Sequence, residues 1–136
     1  MSIVIDASLT LAWYFPDESN EGTDALLMQV AGTGAVAPVH WQGEVANGFQ
    51  TAIRRGRVDA AYRDSSLRDL GSLGIEIDSD TNLHIWNATV QLSDLHGLTI
   101  YDAAYLELAQ RRRVPLATLD AELRQAAQKS HLDVLP

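Results

Sequence analysis

The chain has 136 residues, of which 46% are hydrophobic and 21% charged; this is the composition of a globular protein and excludes an intrinsically disordered one. It contains no cysteine, which excludes disulfides and thiolate metal sites. A formal net charge of −8 argues against a general nucleic-acid binder, because such proteins are usually basic. This argument weakens if several acidic side chains are clustered to hold metal ions.

The apolar stretches are too short for a membrane span. The longest covers residues 9–15 and is interrupted only by Thr10, whereas a span needs about 20 residues. No Lys or Arg precedes the first apolar stretch, and Asp6 interrupts it, which does not fit a secretory signal. We therefore expect a soluble, cytoplasmic protein that forms one domain over residues 1–136.

Strand and helix signals alternate along the chain. Continuous β-branched residues at 3–5 predict a buried strand, and apolar residues spaced by three and four at 41–52 predict an amphipathic helix. The predicted strands are residues 2–6, 35–37, 75–78, 115–118 and 134–135. The predicted helices are residues 7–15, 20–31, 40–55, 58–70, 81–95, 101–112 and 120–129. We expect Thr81 to cap the fifth helix and Gly97 to end it.

This alternation predicts a doubly wound α/β layer, in which a parallel sheet has helices on both faces. Ligands bind at the carboxyl ends of the strands in such sheets. Asp6 ends the first predicted strand and Asp120 follows the fourth, so both carboxylates are expected at the same edge. Asp102 lies at a predicted helix start, and Glu44 lies beside the apolar stripe of the third helix. We therefore expect four acidic side chains to converge there.

Each of these acidic residues also has a purely structural interpretation. Asp is a preferred helix N-cap, and a glutamate on a helix is commonly solvated. Several ionised carboxylates, however, cannot share a site unless a positive group lies between them. Without cysteine, an oxygen-rich site suits Mg²⁺ or Mn²⁺. Such an ion can lower the pKa of bound water and stabilise charge on a phosphodiester.

Four short segments resemble the motifs of VapC-type PIN domains in their order and spacing. They are I-V-I-D-A-S at residues 3–8, E-V-A-N at 44–47, I-Y-D-A-A-Y-L-E-L-A at 100–109 and L-A-T-L-D at 116–120. None is specific alone, but together they span essentially the whole chain. The resemblance implies a PIN-like fold, a three-layer α/β/α sandwich with a short, mostly parallel sheet.

The resemblance also implies an activity. The protein would be an endoribonuclease that hydrolyses RNA phosphodiester bonds, as the toxin of a type II toxin–antitoxin pair. Four residues would bind one or two Mg²⁺ or Mn²⁺ ions: Asp6, Glu44, Asp102 and Asp120. Ser8 and Thr118 would orient water or a ligand carboxylate. The protein would form a homodimer, and a cognate antitoxin would wrap the active-site groove and silence it.

Two other functions stay open at this point. A catalytically inactive PIN-like module would keep the fold and bind partners, although the intact set of four acidic residues argues against it. A phosphorylatable receiver domain also groups acidic residues at strand ends in an α/β layer. That class needs a lysine near a late strand, and the only lysine here is Lys129, in the last predicted helix.

Other residues have competing interpretations. The arginines within residues 54–57 and 111–113 provide either favourable charge at helix C-termini or contacts to RNA. His40 and Glu44 are four residues apart and share a helix face, but no second pair supports a zinc site. The three tryptophans fall at helical apolar positions, which favours core or dimer contacts over base stacking. They are Trp13, Trp41 and Trp86.

Overall fold

The computed structural model describes residues 2–136 and contains five short strands and eight α-helices. The strands are β1 (Val4–Ile5), β2 (Val36–Ala37), β3 (Glu76–Ile77), β4 (Leu116–Ala117) and β5 (Val134–Leu135). The helices are α1 (Ala7–Ala12), α2 (Glu21–Thr33), α3 (Trp41–Arg54), α4 (Ala60–Gly71), α5 (Thr81–His84), α6 (Val90–His96), α7 (Ile100–Arg112) and α8 (Ala121–Lys129). A π-helical turn, Ile85–Thr89, joins α5 to α6.

The five strands form one sheet with the order β3-β2-β1-β4-β5, and every pairing is parallel. The central strand β1 aligns Val4 with Val36 of β2 and with Leu116 of β4. All three side chains are buried, as expected for a sheet covered on both faces. The order differs from the 2-1-3-4-5 order of receiver domains, so the receiver interpretation is wrong.

The helices form two layers. α1 packs against α3 and α3 against α4, whereas α7 packs against α5, α6 and α8. The chain moves along the sheet from β1 to β2 to β3 and then returns to β4. Right-handed crossovers therefore place the two groups of helices on opposite faces of the sheet. The three-layer α/β/α sandwich expected from the sequence is confirmed.

The core lies between these layers. The predicted apolar stripe of α3 is confirmed, since Trp41, Val45, Phe49 and Ala52 are all buried. α7 contacts β1 and β4 and buries every residue from 103 to 109, because it crosses the centre of the sheet. No helix within residues 2–136 is both long and apolar enough to cross a membrane.

Several predicted boundaries shift. Only two residues of the first and fourth predicted strands join the sheet, because the residues that follow already lead into α1 and α8. α1 ends at Ala12 and not at residue 15. α2 continues past Gly32 to Thr33 and ends at Gly34, whose φ is 84°. A left-handed backbone of this kind suits glycine.

The predicted helix at 81–95 is the part of the fold that differs most. The N-cap position is Asp80 and not Thr81, and the Thr81 hydroxyl instead donates to Asp78 Oδ2 at 2.9 Å. The π-helical turn interrupts the helix. The helix ends at His96 and is followed by Gly97, whose backbone is left-handed, so the predicted end at Gly97 is confirmed. Trp86 lies in this turn with 89% of its surface exposed. Trp86 is therefore not in the core, and its role in dimer contacts stays a prediction, whereas Trp41 is in the core and Trp13 packs against it.

Candidate functional site

Asp6 directly follows β1 at the carboxyl edge of the sheet and is 4% exposed. Its carboxylate caps α1 by accepting a hydrogen bond from the Leu9 amide at 2.9 Å. Ser8 Oγ donates to the same carboxylate, at 2.8 Å from Oδ1, and Thr118 Oγ1 donates to Oδ2. The donors found for Asp6 within residues 2–136 are therefore all neutral.

Asp120 begins α8 directly beyond β4. Its Oδ2 accepts from the Leu123 amide at 2.8 Å, and its own amide donates to Thr118 Oγ1 at 3.0 Å. Thr118 thus joins two acidic strand ends, because its hydroxyl donates to Asp6 and accepts from Asp120. Since β1 and β4 are neighbours, both aspartates lie at one edge of the sheet, as the sequence predicted.

Asp102 lies in the first turn of α7 but does not cap it. The N-cap is Thr99, whose Oγ1 accepts a hydrogen bond from the Asp102 amide at 3.1 Å. The N-cap interpretation is therefore wrong for Asp102. Because Thr99 satisfies the helix terminus, the Asp102 carboxylate is not required to begin α7.

Glu44 lies in the first turn of α3, and its side chain is 35% exposed. The hydroxyl of Tyr105, which is 1% exposed, donates to Glu44 Oε1 at 2.6 Å. His40 Nε2 lies 3.7 Å from the same oxygen and 3.1 Å from the carbonyl oxygen of Tyr101. Two predictions are therefore confirmed: Glu44 lies at the rim of the core, and His40 lies close to it on the same face of α3.

Burial favours the neutral form of both neighbours of Glu44. Burial raises the pKa of Tyr105 far above its usual value, and the hydrogen bond to Glu44 raises it further, so the hydroxyl remains a donor. Burial lowers the pKa of His40, although the charge of Glu44 opposes this. Tyr105 is not among the site residues predicted from the sequence. A signal was present, because a buried tyrosine hydroxyl usually needs a partner and Tyr105 follows Asp102 by one helical turn.

The acidic side chains act on one another electrostatically. Burial raises the pKa of Asp6 to about 6. The charge of Asp102 also raises it, whereas the hydrogen bonds from Leu9, Thr118 and Ser8 lower it. Burial also raises the pKa of Asp102, and the charges of Asp120, Glu44 and Glu122 raise it further. The structure therefore brings the four predicted acidic residues into one negative region. It adds Glu122, which the sequence analysis did not identify.

The donor atoms decide whether this region fits a divalent cation. It offers carboxylate and hydroxyl oxygens without sulfur, the set that Mg²⁺ and Mn²⁺ prefer. Neither Asp6 nor Asp102 forms a salt bridge among residues 2–136, so a cation would relieve their repulsion. As they are oriented within residues 2–136, no three His, Asp or Glu side chains could hold one ion. The donor atoms of these residues therefore suit Mg²⁺ or Mn²⁺, and binding of an ion requires some of the carboxylates to turn toward one another.

The second arginine cluster pairs with acidic residues elsewhere. Arg111 donates to Asp78 Oδ2 at 2.7 Å and to Glu107 Oε2 at 2.8 Å, and Arg112 donates to Asp78 Oδ1 at 3.3 Å. Both arginines lie in the last turn of α7, at the opposite end from Asp102. These two residues therefore place positive charge at the C-terminus of α7, as one of the two interpretations predicted, and contact of either arginine with RNA stays a prediction.

Comparison with known sequences identifies relatives over the full length. The PIN domain family model matches residues 3–129, a span that includes all four acidic residues. Ribonuclease VapC3 of Pyrobaculum aerophilum is 30% identical over 136 residues, which cover 100% of both chains. Ribonuclease VapC3 of Mycobacterium tuberculosis is 27% identical over 131 residues, which cover 95% of this chain and 90% of that protein.

Solved structures share the fold. The crystal structure of PAE2754 from Pyrobaculum aerophilum matches with a TM-score of 0.69 and 23% identity, over 93% of this chain and 87% of that one. The crystal structure of FitAcB from Neisseria gonorrhoeae matches with a TM-score of 0.64 and 17% identity, over 100% of this chain and 97% of that one. On the family match over residues 3–129 and the full-length relative at 30% identity, this chain belongs to the PIN domain family.

Proposed function

We propose that this chain is a metal-dependent endoribonuclease and the toxin of a type II toxin–antitoxin pair. The observation that carries the proposal is the group of carboxylates at the carboxyl edge of the sheet, in which burial and neighbouring charges raise the pKa of Asp6 and Asp102. Full-length similarity to proteins named Ribonuclease VapC3 supports RNA as the substrate and hydrolysis as the reaction.

The side chains of this chain have separate roles in the proposal. Four carboxylates hold one or two Mg²⁺ or Mn²⁺ ions: Asp6, Glu44, Asp102 and Asp120. When bound, such an ion lowers the pKa of water and offsets negative charge on the phosphodiester. Ser8 and Thr118 fix the orientation of the Asp6 carboxylate, because each donates a hydrogen bond to it.

The charge of the chain makes RNA binding depend on the same cations. With a net charge of −8 and several carboxylates at the candidate site, a phosphodiester would be repelled by the bare protein. One or two divalent ions bound by these carboxylates would offset much of this negative charge and so weaken the repulsion of the phosphate. We therefore expect chelation to abolish both cleavage and RNA binding at this edge of the sheet.

Two protein partners complete the proposal: a second copy of this chain and a cognate antitoxin. The acidic edge suits a basic peptide, and an arginine placed beside the carboxylates would both pair with them and displace a metal ion. The product of the neighbouring gene should therefore bind tightly and inhibit cleavage. A neighbouring product that neither binds nor slows cleavage would contradict the toxin assignment.

RNA cleavage by the purified protein, with Mg²⁺ or Mn²⁺ and with chelator, tests the proposal. Four substitutions should each abolish cation-dependent cleavage while the protein stays folded: Asp6→Asn, Glu44→Gln, Asp102→Asn and Asp120→Asn. The control is Asp133→Asn, because Asp133 is exposed and precedes β5 at the opposite edge of the sheet. This variant should cleave at the parent rate.

Two results would contradict the assignment. A parent protein that cleaves no RNA with either ion would favour the inactive interaction module. Near-parent rates in any two of the four carboxamide variants would show that the metal-binding residues lie elsewhere.

A further inference from the structure

One buried hydroxyl is directed at a carboxylate of the proposed site. Tyr105 is 1% exposed and donates to Glu44 Oε1 at 2.6 Å. We infer that Tyr105 is a positioning residue, which holds one oxygen of Glu44 so that the other faces the bound cation. This inference rests on the proposed function, because it assigns Tyr105 a role through a proposed metal ligand.

The position of Tyr105 suits this role because it lies in a buried part of the fold. It lies in the part of α7 where residues 103–109 are all buried, and α7 packs against β1. The ring of His40 packs edge-on against it, with centroids 5.2 Å apart. Glu44, in contrast, is 35% exposed, so its side chain would lose its preferred orientation without a fixed partner.

The same helix carries a second proposed metal ligand. Tyr105 follows Asp102 by three residues, so the two side chains are neighbours along one side of α7. The hydrogen bond from Tyr105 therefore fixes Glu44 of α3 relative to Asp102 of α7. The charge of Glu44 already acts on the pKa of Asp102, which agrees with this proximity.

No other donor found within residues 2–136 can substitute for Tyr105. His40 Nε2 is 3.7 Å from Glu44 Oε1, which is too long for a hydrogen bond, and it lies closer to the Tyr101 carbonyl oxygen, at 3.1 Å. Among residues 2–136, the hydrogen bond from Tyr105 reaches Oε1 of Glu44, and no group donates a hydrogen bond to Oε2. The carboxylate is thus held at one oxygen and open at the other.

The test is the affinity of the metal-free protein for Mn²⁺, measured by electron paramagnetic resonance. Tyr105→Phe should raise the Kd for Mn²⁺ by roughly 10-fold, as the loss of a hydrogen bond to a metal ligand usually does. The matched control is Tyr14→Phe, because the Tyr14 hydroxyl also donates to a carboxylate, Asp69 Oδ2 at 2.8 Å. Tyr14→Phe should bind Mn²⁺ as tightly as the parent does.

The Glu44→Ala background separates positioning from a general structural role. If Tyr105 acts only through Glu44, adding Tyr105→Phe to Glu44→Ala should leave the Kd for Mn²⁺ unchanged. A further weakening in that background would overturn the inference. Unchanged Mn²⁺ affinity of Tyr105→Phe, in a protein where Glu44→Ala does weaken binding, would also overturn it and leave the proposed function intact. If Glu44→Ala itself has no effect, the role of Glu44 in the proposed function fails.

A measurement on the parent protein avoids any loss of folding in the variants. The hydroxyl proton of Tyr105 should exchange slowly and be visible by nuclear magnetic resonance, because the group is buried and hydrogen-bonded. This signal should persist when Mg²⁺ saturates the protein. Its loss on addition of Mg²⁺ would show that Glu44 leaves Tyr105 when it binds the ion, which contradicts positioning.

Discussion

Two buried aspartates at strand ends differ in how the fold accommodates them. Asp6, after β1, is 4% exposed, and Asp78, after β3, is 1% exposed. Asp78 accepts hydrogen bonds from the guanidinium groups of Arg111 and Arg112 and from Thr81. Asp6 accepts only from hydroxyls and one backbone amide among residues 2–136, and the negative charge of Asp102 acts on it.

The pKa values of the two aspartates are shifted in opposite directions by these different surroundings. Burial acts to raise the pKa of both groups, but hydrogen bonds from Arg111, Thr81 and Arg112 leave that of Asp78 well below its usual value. The pKa of Asp6 is raised to about 6, because its neutral donors do not offset burial. A buried carboxylate that an arginine neutralises belongs to the framework of the fold. One that lacks a cation, and lies near other acids, is suited to bind one.

The largest expected effect comes from disrupting the neutralised site. Asp78→Asn leaves two guanidinium groups without their shared buried partner, so the free energy of unfolding should fall by about 4 kcal/mol. Urea denaturation measures this loss. Mn²⁺ affinity of the folded variant should stay at the parent value, because Asp78 is not a proposed ligand. A loss below about 0.5 kcal/mol, the range of ordinary surface substitutions, would show that the arginines do not stabilise Asp78.

The contrast between these aspartates also shows what the sequence could reveal. The parallel sheet and the shared edge of Asp6 and Asp120 follow from local patterns, because β-branched runs and helical spacing are properties of neighbouring residues. The Thr99 cap was equally accessible, since a Thr three residues before an acidic residue is a known capping pattern. The hydrogen bonds of Arg111 to Asp78 and of Tyr105 to Glu44 join residues 33 and 61 positions apart. They depend on where α7 crosses the sheet, which no local pattern determines.

A smaller effect should appear in the pH dependence of stability. Because the pKa of Asp6 is raised from 3.8 to about 6, the folded state holds this proton more tightly than the unfolded chain does. The contribution of Asp6 to stability should therefore fall as pH rises from about 4 to about 6, by about 3 kcal/mol. Asp6→Asn removes this dependence, so the difference between parent and variant should change across that range in urea titrations.

Asp78 and an exposed aspartate provide the controls for this pH dependence. The lowered pKa of Asp78 gives stability that is present above the unfolded value and lost only as pH falls below about 4. It therefore contributes little slope between pH 4 and 6. Asp133→Asn, at an exposed position, should run parallel to the parent. A parallel curve for Asp6→Asn as well would show that Asp6 ionises normally and that burial does not raise its pKa.

The smallest expected effect concerns repulsion among the acidic side chains without metal. In chelator, Asp102→Asn should raise the melting temperature by a few degrees, because it removes the charge on which Asp120, Glu44 and Glu122 act. Thr99 still caps α7, so the variant loses only the favourable interaction of an acid with the helix N-terminus, at most about 1 kcal/mol. Excess Mn²⁺ should raise the melting temperature of the parent more than that of the variant, because the ion binds the folded site. Equal melting temperatures, indifferent to Mn²⁺, would mean that these carboxylates neither repel one another nor bind a cation.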